Sequence, residues 1–346
     1  MKSLSLKKFE DIISVENLLL AWQEFERGKR SRKDVQEFSL RVMDNIFSLH
    51  RDLLNHTWKH GGYQAFKIND PKPRDIHKAS VCDRLLHHAV YRILYPFFEK
   101  IFIADSYSCQ IRKGTHRAIN KFRKFAWKVS QNNTRTCWVL KCDIRKFFAN
   151  IDHEILLGIL REYVPDKNII RLLENVIGSF YSDRFGVGLP LGNLTSQLFV
   201  NIYLNELDQF VKHKLKARYY IRYCDDFVIL SENKSWLERQ IPLVRNFLWK
   251  KLRLKLHPDK VFIKTLSSGM DFLGMVNFLD HRILRTKTKR KMLRNISEKH
   301  FLLREEFISD SLLNQSLHSY LGILKHCNGH KIEDEIRSRF CAGGLD

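Results

Sequence analysis

Several features are missing from this 346-residue sequence, and each absence excludes a class of protein. No run of 18 or more apolar residues occurs, so no segment has the composition of a membrane-spanning helix. The first residues, MKSLSLKKFEDII, lack the apolar core of a secretory signal peptide. Seven cysteines without a C-x-x-C pair predict reduced, mostly buried thiols rather than a disulfide framework. We therefore expect a cytoplasmic protein with no membrane partner.

Acidic residues are also few relative to basic ones. The sequence has 38 Asp and Glu against 60 Lys and Arg, which gives a formal net charge of +22. This excess indicates a polyanionic partner, and the lack of a membrane segment favours nucleic acid over a lipid surface. The chain is long enough to bury an ample core, either as one multi-lobed enzyme or as two or three small subdomains.

An adjacent pair of acidic residues lies inside the apolar stretch IRYCDDFVILS, residues 221–231. Residues that favour extended backbone flank Asp225 and Asp226, which predicts a β-hairpin with both carboxylates at its tip. An ordinary turn would also explain the pair, because Asp tolerates the backbone angles of a tight turn. Two neighbouring anions repel each other in an apolar hairpin, however, and a divalent metal ion is the natural counter-charge.

A third acidic residue has a matching context. Residues 136–148, TCWVLKCDIRKFF, form an apolar predicted strand that ends at Asp143. Because Mg²⁺ binds a few carboxylates together with phosphate oxygens and water, Asp143, Asp225 and Asp226 could share such ions, with Ile144 in the same predicted metal site. Two ions about 4 Å apart would clamp the attacking and leaving oxygens of an in-line phosphoryl displacement.

The order of these motifs resembles that of reverse transcriptases. The sequence Y-x-D-D at residues 223–226 follows a strand that ends in D-I-x-x-F-F, and further motifs agree from about residue 61 to residue 275. The resemblance implies an α+β right-hand polymerase fold with an antiparallel palm, mixed fingers and a helical thumb. It also implies an RNA-directed DNA polymerase that uses two Mg²⁺ ions, with Mn²⁺ as a possible substitute, and dNTPs to copy a template or structured RNA into cDNA.

The periodicity of apolar residues and the resemblance together divide the chain into three parts. Residues 1–60 are predicted to be a helical extension, residues 61–275 the fingers and palm, and residues 276–346 a basic helical thumb. In the extension, Ser14 is predicted to cap one helix and Ser31 to begin the next. The basic residues between these helices are expected to form a solvated loop, with contact to template RNA as the alternative.

The fingers contain the predicted triphosphate-binding residues. Residues 63–69 alternate like a strand, and residues 71–76 predict a constrained turn before a helix at about 80–101. The resemblance places Arg74 and Arg84 over the incoming triphosphate, where the forked guanidinium suits phosphate oxygens. The alternative for Arg84 is a simple ion pair with a neighbouring aspartate.

Two further roles in the site follow from the resemblance. Phe148 matches the family's steric gate, a bulky ring under the sugar that would clash with a 2′-hydroxyl, whereas Phe147 is expected to point into the core. The alternative is that both rings belong to the core. Lys260 matches a lysine that is a candidate to protonate the leaving pyrophosphate, and a surface lysine is its alternative.

The loop at residues 186–197, GVGLPLGNLTSQ, is predicted to bind the nucleotide through Leu191, Gly192 and Gln197 and to lead into an amphipathic helix. In most reverse transcriptases a Gln stands at the position of Leu191. This departure and the T-S-Q that follows resemble the enzymes of diversity-generating retroelements, which make cDNA mutated at adenines with the help of a small helical accessory protein. Loss of a polar contact to the nucleotide predicts low fidelity.

Two segments are predicted to hold the nucleic acid. Tyr223 precedes the acidic pair, and Phe272-Leu273-Gly274 matches the primer-grip hairpin, where Gly suits close approach of backbone to a primer. From His281 to Arg304 the chain has nine Lys or Arg and one acidic residue, with apolar residues at helical spacing. A thumb helix that binds backbone phosphates is therefore predicted, through Lys287, Lys289, Arg290, Lys291 and Arg294.

Other readings of the sequence stay open. An antiviral-defence or retron-like reverse transcriptase that acts on a dedicated noncoding RNA is the alternative subtype, although the retron motifs V-T-G and N-A-x-x-H are absent. Group II intron proteins usually carry a further domain after the thumb, for which the roughly 70 residues beyond Gly274 are too few. A binding scaffold without chemistry and a metal-dependent nuclease are the alternatives from other classes, but a nuclease needs no steric gate.

Overall fold

The structure is a computed structural model that describes residues 8–69 and 73–340. Within these ranges, helices surround three antiparallel sheets. None of the helices in these ranges is long and apolar enough to cross a bilayer. The described architecture is the α+β arrangement that the sequence predicts.

The N-terminal part consists of helices α1 (Phe9–Ile13), α2 (Val15–Glu26), α3 (Lys33–Ser39) and α4 (Val42–Leu54). Ser14 caps α2 as predicted, because its hydroxyl oxygen accepts a hydrogen bond from the Asn17 N–H at 3.2 Å. The prediction for Ser31 is wrong, since α3 follows Arg32 and has no side-chain cap. The buried residues of these helices join the same apolar cluster as the fingers and palm, so the extension shares its core with them.

The fingers begin with two antiparallel strands, β1 (Tyr63–Ile68) and β2 (Arg74–Ala79). Strand β1 confirms the predicted strand. The predicted turn at residues 71–76 is wrong from Arg74 onward, where β2 begins, and residues 70–72 lie outside the described residues. Ser80 caps the predicted helix α5 (Val81–Glu99), and Gly114 precedes α6 (Thr115–Val129).

The palm is a four-stranded antiparallel sheet in the order β4-β5-β3-β6. Its elements in chain order are β3 (Trp138–Asp143), α7 (His153–Tyr163), α8 (Lys167–Gly178), α9 (Leu194–Gln209) with a π-helical turn (Phe210–Lys214), β4 (Tyr220–Tyr223), β5 (Asp226–Ser231), α10 (Lys234–Leu252) and β6 (Phe262–Thr265). Alternate residues of β3 point to different apolar clusters. Leu140 and Cys142 belong to the larger cluster, and Val139 belongs to a second cluster that includes residues of α6. The sheet therefore lies between two apolar layers.

Helix α9 differs from its prediction. The pattern of apolar residues predicts one buried face, but α9 is buried on nearly every side and its polar residues Asn201 and Asp208 are buried too. A buried polar group needs a hydrogen-bond partner. The Asn201 side-chain amide donates to the Ser108 carbonyl oxygen at 3.0 Å, and Asp208 accepts a hydrogen bond from the Tyr220 hydroxyl at 2.7 Å. Helix α9 is thus a central support of the palm.

The last part contains a three-stranded antiparallel sheet followed by helices. The elements are β7 (Met270–Phe272), β8 (Met275–Asn277), β9 (Arg282–Leu284), α11 (Thr286–Arg304), α12 (Asp310–Leu324) and α13 (His330–Phe340). The predicted thumb helix begins at Thr286 rather than near His281, because the residues between them pair with β8. Apolar side chains of the three helices, including Ile296 and Leu317, form a separate core with Ile119 of α6.

Candidate active site

Strand pairing brings three aspartates to one edge of the palm. Asp143, the last residue of β3, lies opposite Asp226, the first residue of β5, in antiparallel register. Asp225 lies in the turn between β4 and β5, and its carbonyl oxygen accepts a hydrogen bond from the Ile144 N–H at 3.2 Å. The positive φ of this turn, 55°, falls on Cys224 rather than on an aspartate. The predicted convergence of carboxylates from two separate segments is confirmed. The expectation that an aspartate adopts the positive φ of the turn is corrected, because Cys224 adopts it.

Two lysines contact these carboxylates. Lys260 Nζ lies 3.0 Å from Asp143 Oδ2, and Lys141 Nζ lies 3.2 Å from Asp226 Oδ2. Within the described ranges, no group of three or more His, Cys, Asp or Glu side chains is arranged to hold a metal ion as it stands. A divalent cation at this edge would compete with both ammonium groups for the carboxylate oxygens. Sequence reasoning found Lys260 but missed Lys141, two residues before Asp143 in the same strand.

The electrostatics of the aspartates fit a divalent cation. Burial is the largest cause that raises the pKa of Asp225, and it raises the pKa of Asp226 to about 6 against the opposing effect of Lys141. Asp226 Oδ1 is buried and has no hydrogen-bond partner among the described residues. A buried carboxylate oxygen beside other carboxylates is the donor set that a hard cation prefers. Asp143, Asp225 and Asp226 could therefore hold metal ions, and the part of Ile144 stays a prediction.

A buried arginine supports the turn that carries Asp225. Arg222 in β4 is 0% exposed, and its guanidinium donates hydrogen bonds of 2.8 and 2.7 Å to the carboxylate of Asp208. It also donates to the Cys224 carbonyl oxygen at 3.1 Å and to Asn201 Oδ1 at 3.3 Å. Helix α9 is thereby linked to the turn that carries Asp225. Sequence reasoning missed this network, although a charged residue inside an apolar strand is a signal that could have revealed it.

Phe147 and Phe148 follow β3 in different environments. Phe147 is buried, as predicted, and Phe148 is half-buried at the start of a 3₁₀ turn (Phe148–Asn150). Their rings are in a T-shaped arrangement with centroids 5.7 Å apart. Strand alternation does not separate them as expected, because β3 ends at Asp143 and the backbone of Phe147 is helical. The role of Phe148 as a steric gate stays a prediction.

The loop before α9 is bound to the fingers. The Leu191 carbonyl oxygen accepts a hydrogen bond from the His77 N–H at 3.0 Å, and the Asn193 side-chain amide donates to the His77 carbonyl oxygen at 3.0 Å. Gly192 has φ 109°, and a Cβ there would lie 2.9 Å from Ile76 Cγ2. Only glycine permits this approach. The close contact that Gly192 makes is therefore with β2, while its contact to a nucleotide stays a prediction.

The two arginines predicted to bind triphosphate lie in different environments. Arg74 is exposed at the start of β2. The Arg84 guanidinium instead donates to the Asp34 carboxylate at 2.6 Å and lies 5.0 Å from the centroid of the Phe25 ring. The charged group of Arg84 is thus paired with an aspartate of the N-terminal helices, and its role at a triphosphate stays a prediction. Gln197 is half-buried in the first turn of α9, and its role, like that of Arg74, stays a prediction.

Comparison with known families explains this arrangement. A family model described as reverse transcriptase (RNA-dependent DNA polymerase) matches residues 67–277, a range that contains all three aspartates. The chain belongs to the reverse transcriptase family. Its matched domain is an RNA-directed DNA polymerase domain, and enzymes of this family use divalent metal ions and dNTPs.

Relatives and a solved structure agree with this assignment. YkfC of Escherichia coli (strain K12) is 26% identical over 263 residues, which cover 65% of this chain and 67% of that protein. The group II intron-encoded protein LtrA of Lactococcus lactis subsp. cremoris is 24% identical over 295 residues, which cover 65% of this chain and 47% of that protein. This reverse transcriptase therefore spans about two thirds of YkfC and about half of LtrA.

The fold is shared with a more distant protein. Apo telomerase from Candida tropicalis matches with a TM-score of 0.51 and 12% sequence identity, over 66% of this chain and 49% of that chain. At this identity the similarity shows the fold alone. The predicted right-hand polymerase fold is thereby confirmed.

The predicted primer-grip hairpin of this reverse transcriptase is present between β7 and β8. Leu273 and Gly274 form its turn with φ of 52° and 86°. Phe272 is 0% exposed and its ring centroid lies 5.5 Å from that of Phe122, so the prediction that Phe272 contacts nucleic acid is wrong. Tyr223 is half-buried, and its hydroxyl oxygen accepts a hydrogen bond from the first residue of α6 at 3.2 Å. Contacts of Tyr223, Leu273 and Gly274 with nucleic acid stay predictions.

Helix α11 of the reverse transcriptase carries the predicted phosphate-binding residues, which are all exposed or half-buried: Lys287, Lys289, Arg290, Lys291 and Arg294. Lys289 and Arg294 are among those that form ion pairs within the thumb. Lys289 Nζ lies 3.3 Å from Glu335 of α13, and Arg294 Nε lies 3.5 Å from Glu298. Surface ion pairs of this kind are weak, so a phosphate could displace them. Binding of a duplex by this helix stays a prediction.

The raised pKa of Asp226 predicts a pH dependence of stability. Its folded-state pKa of about 6 lies above the ordinary 3.8, so the protonated form is favoured by folding. Ionisation of Asp226 therefore weakens the fold as pH rises from about 4 to about 6. We expect Asp226→Asn to become more stable relative to the wild type across this window in divalent-free buffer. Thermal unfolding followed by circular dichroism at several pH values measures this difference.

The control for this pH experiment is Glu232→Gln, which alters an exposed acid just after β5. Its melting temperature relative to the wild type should change little with pH across the same window. A difference between Asp226→Asn and the wild type that stays constant from about pH 4 to about pH 7 would contradict the prediction.

Proposed function

We propose that this reverse transcriptase copies RNA into cDNA with low fidelity, as the polymerase of a diversity-generating retroelement. The observation that carries the proposal is Leu191, an apolar residue at the position where most family members have Gln. The backbone here is held by the His77 hydrogen bond and by the close approach of Gly192 to β2. The loop backbone is therefore held against the fingers. The Leu191 side chain offers the nucleotide no polar contact. A polar side chain that a mismatched nucleotide leaves unpaired disfavours that nucleotide. Because Leu191 is apolar, this penalty is missing, and discrimination against mismatched nucleotides is weaker.

Different residues of the chain would bind the metal ions, donate the proton and contact the sugar. Asp143, Asp225 and Asp226 would hold Mg²⁺, or Mn²⁺ in its place, and the bound ions supply charge stabilisation for an in-line phosphoryl displacement. Lys260 is held beside Asp143 and could donate a proton to the leaving pyrophosphate. Phe148 would lie under the sugar of the incoming dNTP. The partners are the template RNA, the cDNA product and a small helical accessory protein.

Leu191→Gln tests the proposal on fidelity. We expect the error frequency at template adenines to fall about five-fold, because one added hydrogen bond contributes on the order of 1 kcal/mol to discrimination. Sequencing of cDNA made from a defined adenine-rich RNA measures this frequency. Ile111→Gln, which adds the same amide to an exposed apolar position, serves as the matched control. Equal error frequencies in Leu191→Gln and the wild type refute the proposal.

Phe148→Ala tests the steric gate. Removal of the ring should admit ribonucleotides, so the ratio of kcat/KM for dNTP over rNTP should fall by roughly ten-fold or more. Single-nucleotide primer extension measures both constants. Phe147→Leu is the matched control, because it alters the neighbouring buried ring and should leave the ratio unchanged while it lowers stability. An unchanged ratio in Phe148→Ala assigns Phe148 to the core alone.

A second candidate is a reverse transcriptase that acts on a dedicated structured RNA, as antiviral-defence and retron-like enzymes do. YkfC and LtrA, the relatives named above, are not described as diversity-generating enzymes, so this candidate stays open. Sequencing the nucleic acid that co-purifies with the protein, together with the cDNA made from it, separates the two. Errors concentrated at adenines support the diversity-generating type, and faithful or repetitive cDNA supports the second candidate.

A further inference from the structure

A groove lies beside the segment that follows catalytic strand β3. It has a volume of about 940 Å³, and its walls come from residues 150–157, residues 178–187 and the C-terminal end of α10. The first two walls are joined by main-chain hydrogen bonds, among them one of 3.0 Å from the His153 N–H to the Gly186 carbonyl oxygen. The groove is therefore built from ordered parts of the palm and is continuous with the segments that carry Phe148 and Leu191.

Three aromatic side chains of the groove are exposed to solvent. Tyr181 is 56% exposed, Phe185 is 89% exposed and Trp249 is 54% exposed. The rings of Tyr181 and Phe185 lie near each other, with centroids 5.7 Å apart. Rings with this exposure add little to the core of the protein. A cluster of exposed apolar side chains with polar residues around it marks an interaction site.

Basic side chains surround these rings. The cations in or beside the groove are Arg184, Lys250, Arg253 and Lys255. Lys255 Nζ lies 4.7 Å from the centroid of the Trp249 ring, so one cation already covers an aromatic face. The acidic residues in or beside the groove are Asp152, Glu154 and the exposed Asp183, and Asp152 is paired with Arg253 at 2.6 Å. The groove is thus complementary to an anionic partner that also offers flat apolar surfaces.

We propose that this groove binds single-stranded RNA, whose unpaired bases stack on Tyr181, Phe185 and Trp249 while Arg184 and Lys250 contact its phosphates. Stacking aromatic rings combined with cations are the usual means of binding unpaired strands. A duplex hides its base faces and gains only the phosphate contacts. The choice of RNA over DNA rests on the proposed function, because the cDNA stays paired with its template while RNA outside the copied duplex is unpaired.

Binding to labelled oligonucleotides tests the groove. The full chain and its variants Tyr181→Ala, Phe185→Ala and Trp249→Ala are titrated against a single-stranded RNA of about 12 nucleotides, with fluorescence anisotropy as the readout. We expect each variant to bind this RNA about ten-fold more weakly, since stacking contributes ~1–3 kcal/mol per base. Trp127→Ala is the matched control, because Trp127 on α6 is 52% exposed but lies outside the groove.

Two parallel measurements decide among the outcomes. Affinity for an RNA–DNA duplex and primer extension on a template without an overhang should both stay within about two-fold of the wild type. Unchanged affinity for single-stranded RNA, or an equal loss for the duplex, overturns the proposal. Tighter binding of single-stranded DNA of the same sequence overturns the choice of RNA. If the wild type is a dimer on gel filtration and Phe185→Ala is a monomer, the groove binds a second copy of the chain. This result also overturns the proposal.

The test separates this inference from the proposed function. If the wild type makes no cDNA while RNA binding still depends on the three rings, the polymerase proposal fails and the groove is supported. If cDNA is made and its errors are at adenines while the rings have no effect on RNA binding, the groove fails and the polymerase proposal is supported.

Discussion

Replacement of Asp225 or Asp226 by Asn is expected to lower Mg²⁺-dependent primer extension on the order of 1000-fold or more. Asn retains the size of the side chain but removes the charge that would hold a divalent cation. The bound metal contributes several kcal/mol of stabilisation to the transition state, and each 1.36 kcal/mol corresponds to about ten-fold in rate. Extension of a DNA primer on an RNA template with dNTPs and Mg²⁺ measures the loss. Because burial raises the pKa of both carboxyls, the neutral variants should remain folded.

The control for this prediction is Glu232→Gln, in which an exposed acid paired with Arg135 loses its charge near the same strand. It should extend primers at the wild-type rate. Full activity in both aspartate variants would falsify the assignment of the catalytic carboxylates. A binding scaffold would bind RNA equally in all variants and make no cDNA, and a nuclease would shorten RNA without dNTPs.

Arg222→Met is expected to lower the free energy of unfolding by about 3–5 kcal/mol. The variant leaves the carboxylate of Asp208 buried without its cation, and a buried unpaired charge is strongly destabilising. The Cys224 carbonyl oxygen also loses the hydrogen bond that it accepts from Arg222 in the turn that carries Asp225. Urea denaturation followed by circular dichroism measures the loss of stability. Primer extension should fall as well in the fraction that stays folded.

The double variant Arg222→Met with Asp208→Leu is the informative comparison. Since both charges are removed, it should recover part of the stability that the single variant loses. Arg135→Met, which breaks an exposed ion pair with Glu232, should change stability by no more than about 1 kcal/mol. Single and double variants of equal stability would show that Arg222 and Asp208 do not depend on each other, contrary to the geometry.

The parts of the fold that were predicted correctly have local signals. Strands β3, β4 and β5 have runs of apolar, extended-favouring residues, and the helices α2, α5 and α10 have apolar residues at helical spacing or a capping residue. The sequence does not predict β2, because its residues, RDIHKA, are mostly polar and exposed. Its backbone pairs with β1, but no apolar pattern marks the strand. For α9 the sequence predicts only one buried face, because polar residues are usually exposed to solvent. In the structure the polar residues Asn201 and Asp208 of this helix are buried.

The parts of the site that were not predicted depend on contacts between distant residues. Arg84 pairs with Asp34, which lies 50 positions earlier, in a helix that packs against α5. Lys141 reaches Asp226 because strand pairing brings β3 beside β5. Phe272 was expected at the nucleic acid, but its ring packs on Phe122 of α6. None of these pairings has a signal in the residues that surround either partner.

The sequence by itself determined the identity and order of the three aspartates that strand pairing brings together, the basic charge and the pattern of strands and helices around them. These properties depend on residue type and short-range spacing, which can be read along the chain. Only the tertiary structure decided which cations contact the aspartates, that Gly192 packs against the fingers and that three aromatic rings line an open groove. Those features depend on how separate elements pack together, because contacts between residues far apart in the chain are set by the shape of the whole core.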